Sequence, residues 1–197
     1  MAAAKKKNGA PAIIVIAILA IALVAVFYFL SNRSEQIAET KAAVMTPVQE
    51  VLQRDLATNY PSTPKELLKY YSEITRCFYA EHYSDEELTE LAEKSRELFD
   101  DELKANQTQE DYIKALKKDI ADYKEDNKSI SSYSVSSSTD VEYYAYDGYD
   151  WAQLYCIYSV RVATTISPVQ EKFLLRRDSE DHWKIVGWQL AKKEEDK

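Results

Sequence analysis

The stretch VEYYAYDGYDWAQLYCIYSVRV, residues 141–162, carries the clearest structural signal in the chain, a complete β-hairpin pattern. Asp147 and Gly148 form a dipeptide that tight hairpin turns prefer, because both residues tolerate positive φ. After this turn apolar residues alternate with mostly polar ones, which is typical of a strand with one buried face. The alternation predicts that the buried positions are Leu154, Cys156, Tyr158, Val160 and Val162.

Strand patterns continue on both sides of this hairpin. Upstream, residues 129–146 are rich in Ser, Tyr and Val and are interrupted near Ser136 to Thr139. Downstream, we expect Pro168 to break the chain. The segments VQEKFLLRR and WKIVGWQLA then flank a five-residue turn from Asp178 to His182. The sequence therefore predicts four or five antiparallel strands.

One helix-start pattern recurs before the strands. A Ser or Thr stands at each expected N-cap, and Gln, Glu or Asp follows at the third helical position. The hydroxyl accepts a hydrogen bond from an otherwise unpaired N–H, and the later side chain reaches back to the cap. Pro47 and Pro64 directly follow two of the caps, where a helix has no use for an N–H donor. The predicted N-caps are Thr46, Thr63, Ser84 and Thr108.

Apolar residues recur at helical spacing after each cap, which predicts helices with one buried face. The first helix is short and runs from Pro47 to Leu56, and the apolar stripe of the third continues through Leu98 and Phe99 to Leu103. Three to four helices followed by a run of strands indicate an α+β fold, with the helices packed on one face of an antiparallel sheet.

His182 and two tryptophans lie in the closing hairpin. A catalytic histidine needs a nucleophile or carbonyl to serve and a partner to orient it, and His182 has only acidic neighbours in an exposed turn. We therefore interpret His182, and likewise His82, as structural. Trp183 and Trp188 are five positions apart, so they face opposite sides of a regular strand. A bulge at Gly187 would bring both rings to one side.

Residues 12–30 form an uncharged segment of thirteen Ile, Leu, Val or Phe residues, five Ala and one Tyr. As a helix this segment is roughly 28 Å long, close to the hydrocarbon thickness of a bilayer. It is longer than the apolar region of a signal peptide, and no A-x-A cleavage site follows it. We predict an uncleaved transmembrane helix.

The charges around this segment predict its orientation. Lys5, Lys6 and Lys7 precede it, whereas acidic residues accompany the first basic residues beyond it. Positive residues stay on the cytoplasmic side, so the N-terminus is predicted to be cytoplasmic and the C-terminal part extracytoplasmic at the cell membrane. The chain has a net charge of −8, and its acidic residues all follow the segment. An acidic surface repels nucleic acid and anionic headgroups, which excludes both as partners of this part.

Cys77 and Cys156 are too few for a disulfide framework, and the sequence leaves open whether they pair or are small buried residues. No C-x-x-C motif or His/Cys cluster indicates zinc. We predict no metal ligand, no cofactor and no catalytic residue.

The closing segment HWKIVGWQ, after three capped helices and a meander of strands, resembles the last hairpin of the nuclear-transport-factor-2-like (cystatin-like, SnoaL-like) superfamily. Residues 60–103 more closely resemble an uncharacterised family of small membrane-anchored proteins from Gram-positive anaerobes, and this likeness covers roughly residues 45–190. The resemblance implies a curved sheet folded against long helices around a conical cavity. It implies no catalytic residue, because chemistries differ within one fold.

These predictions divide the chain into a cytoplasmic tail (1–11), the membrane helix (12–30), a juxtamembrane segment (31–46), the α+β domain (47–192) and a charged tail (193–197). We expect four side chains on apolar faces to line the cavity, with no carboxylate among them. They are Tyr71, Cys77, Cys156 and Tyr158. Aromatic residues crowd the central hairpin and form a candidate binding surface, namely Tyr143, Tyr144, Tyr146, Tyr149 and Trp151.

Three classes of function fit this organisation. The first, which we favour, is a non-enzymatic interaction or scaffold module with a protein partner in the cell envelope. It rests on a layout similar to that of bitopic scaffold proteins of conjugation and secretion machines. The second is binding of a small ligand, glycan or peptide by the cavity or by the tyrosine-rich surface. The third is an isomerase or cyclase, which needs a carboxylate base in an apolar pocket.

Overall fold

The computed structural model describes residues 45–191 of the 197-residue chain. The predicted cytoplasmic tail, the membrane helix at residues 12–30, nearly all of the juxtamembrane segment and the charged tail at 193–197 lie outside this part. Within residues 45–191, no helix has both the length and the hydrophobicity needed to cross a membrane.

Within the described residues, five helices precede the sheet. The four predicted N-caps are confirmed, because each hydroxyl accepts a hydrogen bond from the backbone N–H three residues later. The reciprocal bond of a capping box is present at Thr46 and Ser84. At the second helix Glu66 instead accepts hydrogen bonds from the backbone and hydroxyl of Ser62. The helices are α1 (Pro47–Leu52), α2 (Pro64–Ala80), α3 (Asp85–Glu97), α4 (Asp101–Ala105) and α5 (Gln109–Glu125).

Five antiparallel strands form one curved sheet in the order β1-β3-β4-β5, with β2 paired to the remaining length of β3 beside β1. The predicted hairpin turn is confirmed, since Asp147 and Gly148 both have positive φ, 51° and 77°. The predicted interruption between β1 and β2 is a short 3-10 turn, Ser138–Asp140. The strands are β1 (Lys128–Val135), β2 (Glu142–Tyr146), β3 (Tyr149–Val162), β4 (Thr165–Arg177) and β5 (Trp183–Leu190).

The helices pack on one face of this sheet, which confirms the α+β class. In β3 the alternation predicted from the sequence places Leu154, Cys156, Tyr158 and Val160 on the buried face. Val162, predicted to be buried with them, is exposed because it lies beside the β3–β4 turn at the end of the strand.

Three predicted boundaries are wrong. Helix α1 ends at Leu52 rather than Leu56. Helix α3 ends at Glu97, before the apolar stripe that was expected to continue to Leu103. Strand β4 runs through Pro168 without a break. In the described part of the chain, β5 pairs with β4 from Glu171 to Arg177 and Ala191 bonds to Gln170, so Pro168 lies beyond this pairing, where a missing N–H is tolerated.

The residues that directly follow α3 cover the outer edge of the sheet at β5. The Ile185 N–H donates to the carbonyl of Leu98, and the Asp100 N–H donates to the carbonyl of Ile185, both at 2.8 Å. Phe99 therefore forms an isolated bridge with Ile185 of β5, which satisfies backbone groups that an open edge would leave exposed. Leu98 still has a helical backbone and Asp100 an extended one, so helix α3 ends where this bridge begins.

A bulge in β5 places both tryptophans on the helix-facing side. Leu175 pairs with Ile185, but the next pair along β4 is Leu174 with Gly187, so Val186 is the additional residue. This irregularity confirms the bulge considered from the sequence and puts Trp188 opposite Phe173. Their rings lie 5.9 Å apart and nearly parallel.

Candidate functional site

A cleft of about 360 Å³ lies between helices α2 and α5 and the inner face of the sheet. It is open to solvent at Trp188, whose side chain is 41 % exposed, and at Asp119. Each of the two helices and four of the strands contributes to its wall. The lining residues are Tyr71, Thr75, Tyr79, Asp119, Tyr123, Ile130, Tyr158, Val160, Val169, Glu171 and Trp188.

Helical spacing brings the helix side chains to the cleft. Tyr71, Thr75 and Tyr79 follow one another at intervals of four along α2, so they form one stripe on its surface. Asp119 and Tyr123 have the same spacing on α5. Tyr71 is also one of the buried residues of α2, so the stripe that lines the cleft borders the core-facing side of this helix.

Strand pairing brings the sheet side chains to the same space. Directly paired residues share one face of a sheet, and Tyr158 pairs with Val169 while Cys156 pairs with Glu171. Tyr158 and Cys156 belong to the buried face of β3. The carboxylate of Glu171 therefore faces the helices rather than the open side of the sheet.

Glu171 is the cleft's most unusual group. Burial raises the pKa of its carboxyl above the usual range. No hydrogen bond or ion pair to its side chain is formed within residues 45–191. Its negative charge in turn contributes to raising the pKa of Tyr71, Tyr123 and Tyr158, after the larger effect of burial. The carboxylate shares the cleft wall with these three tyrosines and lacks a partner in the described part of the chain.

The second carboxylate of the cleft is engaged by a phenol. The Tyr79 hydroxyl donates a hydrogen bond to Asp119, which ties α2 to α5. Burial, this hydrogen bond and the charge of Asp119 all raise the pKa of Tyr79, so the phenol keeps its proton. The ring of Tyr79 also packs against Tyr123 with centroids 4.5 Å apart.

A smaller recess of about 240 Å³ adjoins the cleft on the side of α5. The two share Tyr71, Thr75, Tyr79, Asp119 and Trp188. The recess adds mostly apolar or aromatic wall, including Phe78, Tyr112 and Leu116. The Tyr112 hydroxyl is 2.8 Å from Ser95 Oγ, so it is held by a buried partner.

Two of the four predicted cavity residues line the cleft, and the other two are buried behind it or in the core. Tyr71 and Tyr158 line the cleft. Cys156 lies behind this wall, with its Sγ 3.3 Å from Ser72 Oγ, which is in turn 3.1 Å from the Tyr158 hydroxyl. Cys77 is fully buried in the core, and both thiols are free.

The expectation that no carboxylate lines the cavity is wrong, since Glu171 and Asp119 both do so. A signal for Glu171 is present in the sequence. Val169, Glu171, Phe173 and Leu175 alternate along β4, so an acidic residue falls in phase with an apolar face. Asp119 and Trp188 gave no comparable signal, because their position depends on how separate elements pack.

The predicted aromatic surface is exposed at the tip of the β2–β3 hairpin. Tyr146 is 69 % exposed, and Tyr143, Tyr144 and Tyr149 are also exposed. The Tyr144 ring is stacked parallel to that of Trp151, whose indole N–H donates to the Tyr146 carbonyl at 3.0 Å. Tyr144 lines a separate recess of about 320 Å³, together with Gln153 and Trp188, and none of the five predicted rings lines the cleft.

His182 packs within its turn, and potential metal ligands are the last kind of site to consider. The ring of His182 stacks on Tyr60 with centroids 4.1 Å apart, and its backbone N–H donates to Asp178 within the turn. In the described part of the chain, no group of three or more His, Cys, Asp or Glu residues is placed to hold a metal ion.

Comparison with curated proteins finds no significant match. Residues 1–188 match the profile of a family described as "Domain of unknown function (DUF6715)". The match covers nearly the whole chain, so the protein belongs to this family.

Proposed function

We propose that residues 47–192 form an extracytoplasmic binding module for a small ligand, held at the cell membrane by the helix at residues 12–30. The observation that carries this proposal is the solvent-open cleft with the carboxylate of Glu171 in its wall, which no described side chain pairs with. It takes precedence over the scaffold function favoured from the sequence, which rests on the layout of the chain and makes no use of a cleft.

The dimensions and composition of the cleft support ligand binding. A volume of about 360 Å³ lies at the lower end of the range for small-molecule sites. Such sites combine apolar or aromatic walls with a few polar groups that orient the ligand. Here Tyr71 and Trp188 supply the aromatic wall, while Glu171, Asp119 and Thr75 supply the polar groups.

The fold supports the resemblance to the nuclear-transport-factor-2-like superfamily as part of this proposal. Helices precede a curved antiparallel sheet, they pack on one of its faces, and a cleft opens between the two layers. This is the arrangement that the resemblance implies. The fold itself does not select a ligand, so the function is argued from the cleft.

A fragment screen tests the binding function. The full-length chain, in neutral detergent micelles, is screened by ligand-detected NMR against small neutral, cationic and anionic compounds. We expect compounds that compete for one site and lose binding in Trp188→Ala, which removes the ring at the cleft mouth. They should also lose binding in Tyr123→Ala, because Trp188 borders a second recess beside Tyr144 whereas Tyr123 lines only the cleft. Trp151→Ala is the matched control, because Trp151 belongs to the hairpin surface. Binding that is lost in Trp151→Ala and retained in Trp188→Ala would overturn the proposal.

The membrane part of the proposal is tested separately. Protease added to intact spheroplasts should remove residues beyond the membrane helix, because the Lys5–Lys7 cluster keeps the N-terminus inside. Permeabilised spheroplasts serve as the control for protease access. Full protection of the C-terminal part in intact spheroplasts would contradict the orientation.

A proton-transfer enzyme is the second candidate, and the raised pKa of Glu171 is the observation that favours it. A partly buried carboxylate beside protonated phenols has the parts needed to remove a proton next to a carbonyl and to stabilise the resulting enolate. In this role Glu171 is the base, and the Tyr158 hydroxyl stabilises the oxyanion. Catalysed hydrogen–deuterium exchange of cyclic ketones that is lost in Glu171→Gln would support this candidate, and unchanged exchange in that variant would contradict it.

A further inference from the structure

The charged groups of the cleft have one sign. Among the described residues that line it, Glu171 and Asp119 are ionisable besides the tyrosines, and none is Lys, Arg or His. Of the described cations, Lys128 lies over a cleft ring, with its Nζ 5.8 Å from the centre of the Tyr123 ring. Lys128 is itself paired with Asp126 at 2.6 Å and does not line the cleft.

The fully buried Asp100 shows what the half-buried Glu171 lacks. Asp100 is 5 % exposed, and the Arg176 guanidinium donates to both of its carboxylate oxygens, at 3.1 and 2.7 Å. A buried carboxylate requires such a partner because burial disfavours its charge. Within residues 45–191 no cationic side chain reaches Glu171, so its charge is uncompensated in the described structure.

The walls around these carboxylates suit a positive ligand of organic character. Tyr71, Tyr79, Tyr123 and Trp188 present aromatic rings to the cleft. Ring faces attract cations, and the attraction is larger where solvent is excluded. Quaternary ammonium ligands are recognised in proteins by several aromatic rings around the cation. A carboxylate in the same wall adds an opposite charge.

We infer that the ligand of the cleft is a small organic cation, a substituted ammonium compound, whose charge is neutralised by Glu171 and Asp119 and whose alkyl groups contact the aromatic rings. The inference rests on the proposed binding function and names its ligand class. An anion is disfavoured by both carboxylates, and a neutral ligand leaves the Glu171 charge uncompensated. A bare metal ion is disfavoured because the described residues provide no group of three acidic, His or Cys ligands.

The test compares choline with its uncharged isostere, in which carbon replaces the ammonium nitrogen. The two have nearly the same shape, so the difference in affinity reports the charge. Binding to the full-length chain in neutral detergent is measured by isothermal titration calorimetry. We expect choline to bind at least about tenfold more tightly than the isostere, the order of a desolvated cation–π contact together with a charge pair.

Variants locate the effect in the cleft. Glu171→Gln retains the shape of the side chain and should reduce choline affinity at least about tenfold, with little change for the isostere. Glu90→Gln is the matched control, because Glu90 is exposed on α3 and does not line the cleft. Trp188→Leu removes a partly exposed aromatic ring from the cleft and should also weaken choline binding. This variant provides the test if Glu171→Gln fails to fold.

The outcomes separate this inference from the proposed function. Equal binding of both compounds, or tighter binding of the isostere, overturns the cationic ligand class and leaves a binding cleft. Choline binding that neither Glu171→Gln nor Trp188→Leu reduces overturns the inference, because the site then lies elsewhere. Absence of binding by either compound also overturns it, while the fragment screen with Trp188→Ala decides independently whether the cleft binds small molecules.

Discussion

The guanidinium of Arg176 holds the buried carboxylate of Asp100 by two hydrogen bonds, and it thereby joins β4 to the start of α4. Asp100 also accepts a hydrogen bond from the Glu102 N–H as the N-cap of α4. The two residues are 76 positions apart in sequence, and the hydrogen bond from the Asp100 N–H to the Ile185 carbonyl places Asp100 beside β5. The ion pair is therefore formed at the covered edge of the sheet.

Arg176→Met should lower the free energy of unfolding by about 3 kcal/mol or more, because it leaves the Asp100 carboxylate buried without a cation. Chemical denaturation of the full-length chain in micelles measures the change. Lys118→Met is the matched control, since Lys118 pairs with Asp122 on the exposed face of α5 and its loss should have no measurable effect. A similar small effect for both variants would contradict the prediction.

Gly148→Ala should lower the free energy of unfolding by about 1 kcal/mol. Gly148 has a φ of 77°, and a side chain at that backbone conformation is strained although nothing lies within 4 Å of the added carbon. Gly187→Ala is the control, because it also meets nothing within 4 Å and its φ is not positive. Denaturation midpoints of the two variants give the comparison, and equal effects would show that the turn conformation is not the cause.

The thiols of Cys77 and Cys156 should be inert in the folded protein. Both are buried, and burial raises the pKa of Cys77 to about 11 from 9.0 and also raises the pKa of Cys156. The thiolate of Cys77 is then about a hundredfold less populated than that of a solvent-exposed cysteine. A thiol-reactive reagent at mildly alkaline pH should label neither residue before unfolding and both after it. Failure to label the unfolded, unreduced chain would indicate a disulfide.

The sequence predicted the elements whose signals are local. The N-caps at Thr46, Thr63, Ser84 and Thr108 and the turn at Asp147–Gly148 depend on a few adjacent residues, and all are present. The early end of α3 escaped prediction for the opposite reason. Leu98 and Phe99 continue an apolar helical stripe, but β5, which is distant in sequence, offers these residues an open edge to pair with. A tertiary contact overrides the local preference there.

The cleft was only partly predictable for the same reason. The apolar faces of α2 and β3 correctly indicated which sides of these elements face each other, and Tyr71 and Tyr158 both reach the cleft. Which residues line a cleft and which fill the core depends on how α5 and β5 close around it. Cys77 and Cys156 therefore lie in the core, while Asp119 and Trp188 reach the cleft from elements whose packing the sequence pattern does not specify. The envelope protein partner expected from the sequence stays a prediction.

Glu171 should make the stability of the protein depend on pH in the direction opposite to that of a salt-bridged acid. Burial raises the pKa of the Glu171 carboxyl in the folded state above its value in the unfolded chain. Between these two pKa values the folded state binds more protons than the unfolded state, so stability falls as pH rises through this interval. Above the folded-state pKa the full cost of burying the charge is present, and below the unfolded-state pKa it is absent.

Glu171→Gln removes this cost while retaining the shape of the side chain. The variant should be more stable than the parent at neutral pH, and the difference should shrink as the pH falls through the raised pKa and vanish below the usual carboxyl range. Asp119, Tyr71, Tyr123, Tyr158 and Cys156 face Glu171 and add no positive charge that would reverse the sign. Thermal melts of both proteins across this pH range measure the difference, with Glu90→Gln as the control for loss of an exposed carboxylate. A Glu171→Gln variant that is less stable at neutral pH would mean that the Glu171 carboxylate already has a partner in the resting protein.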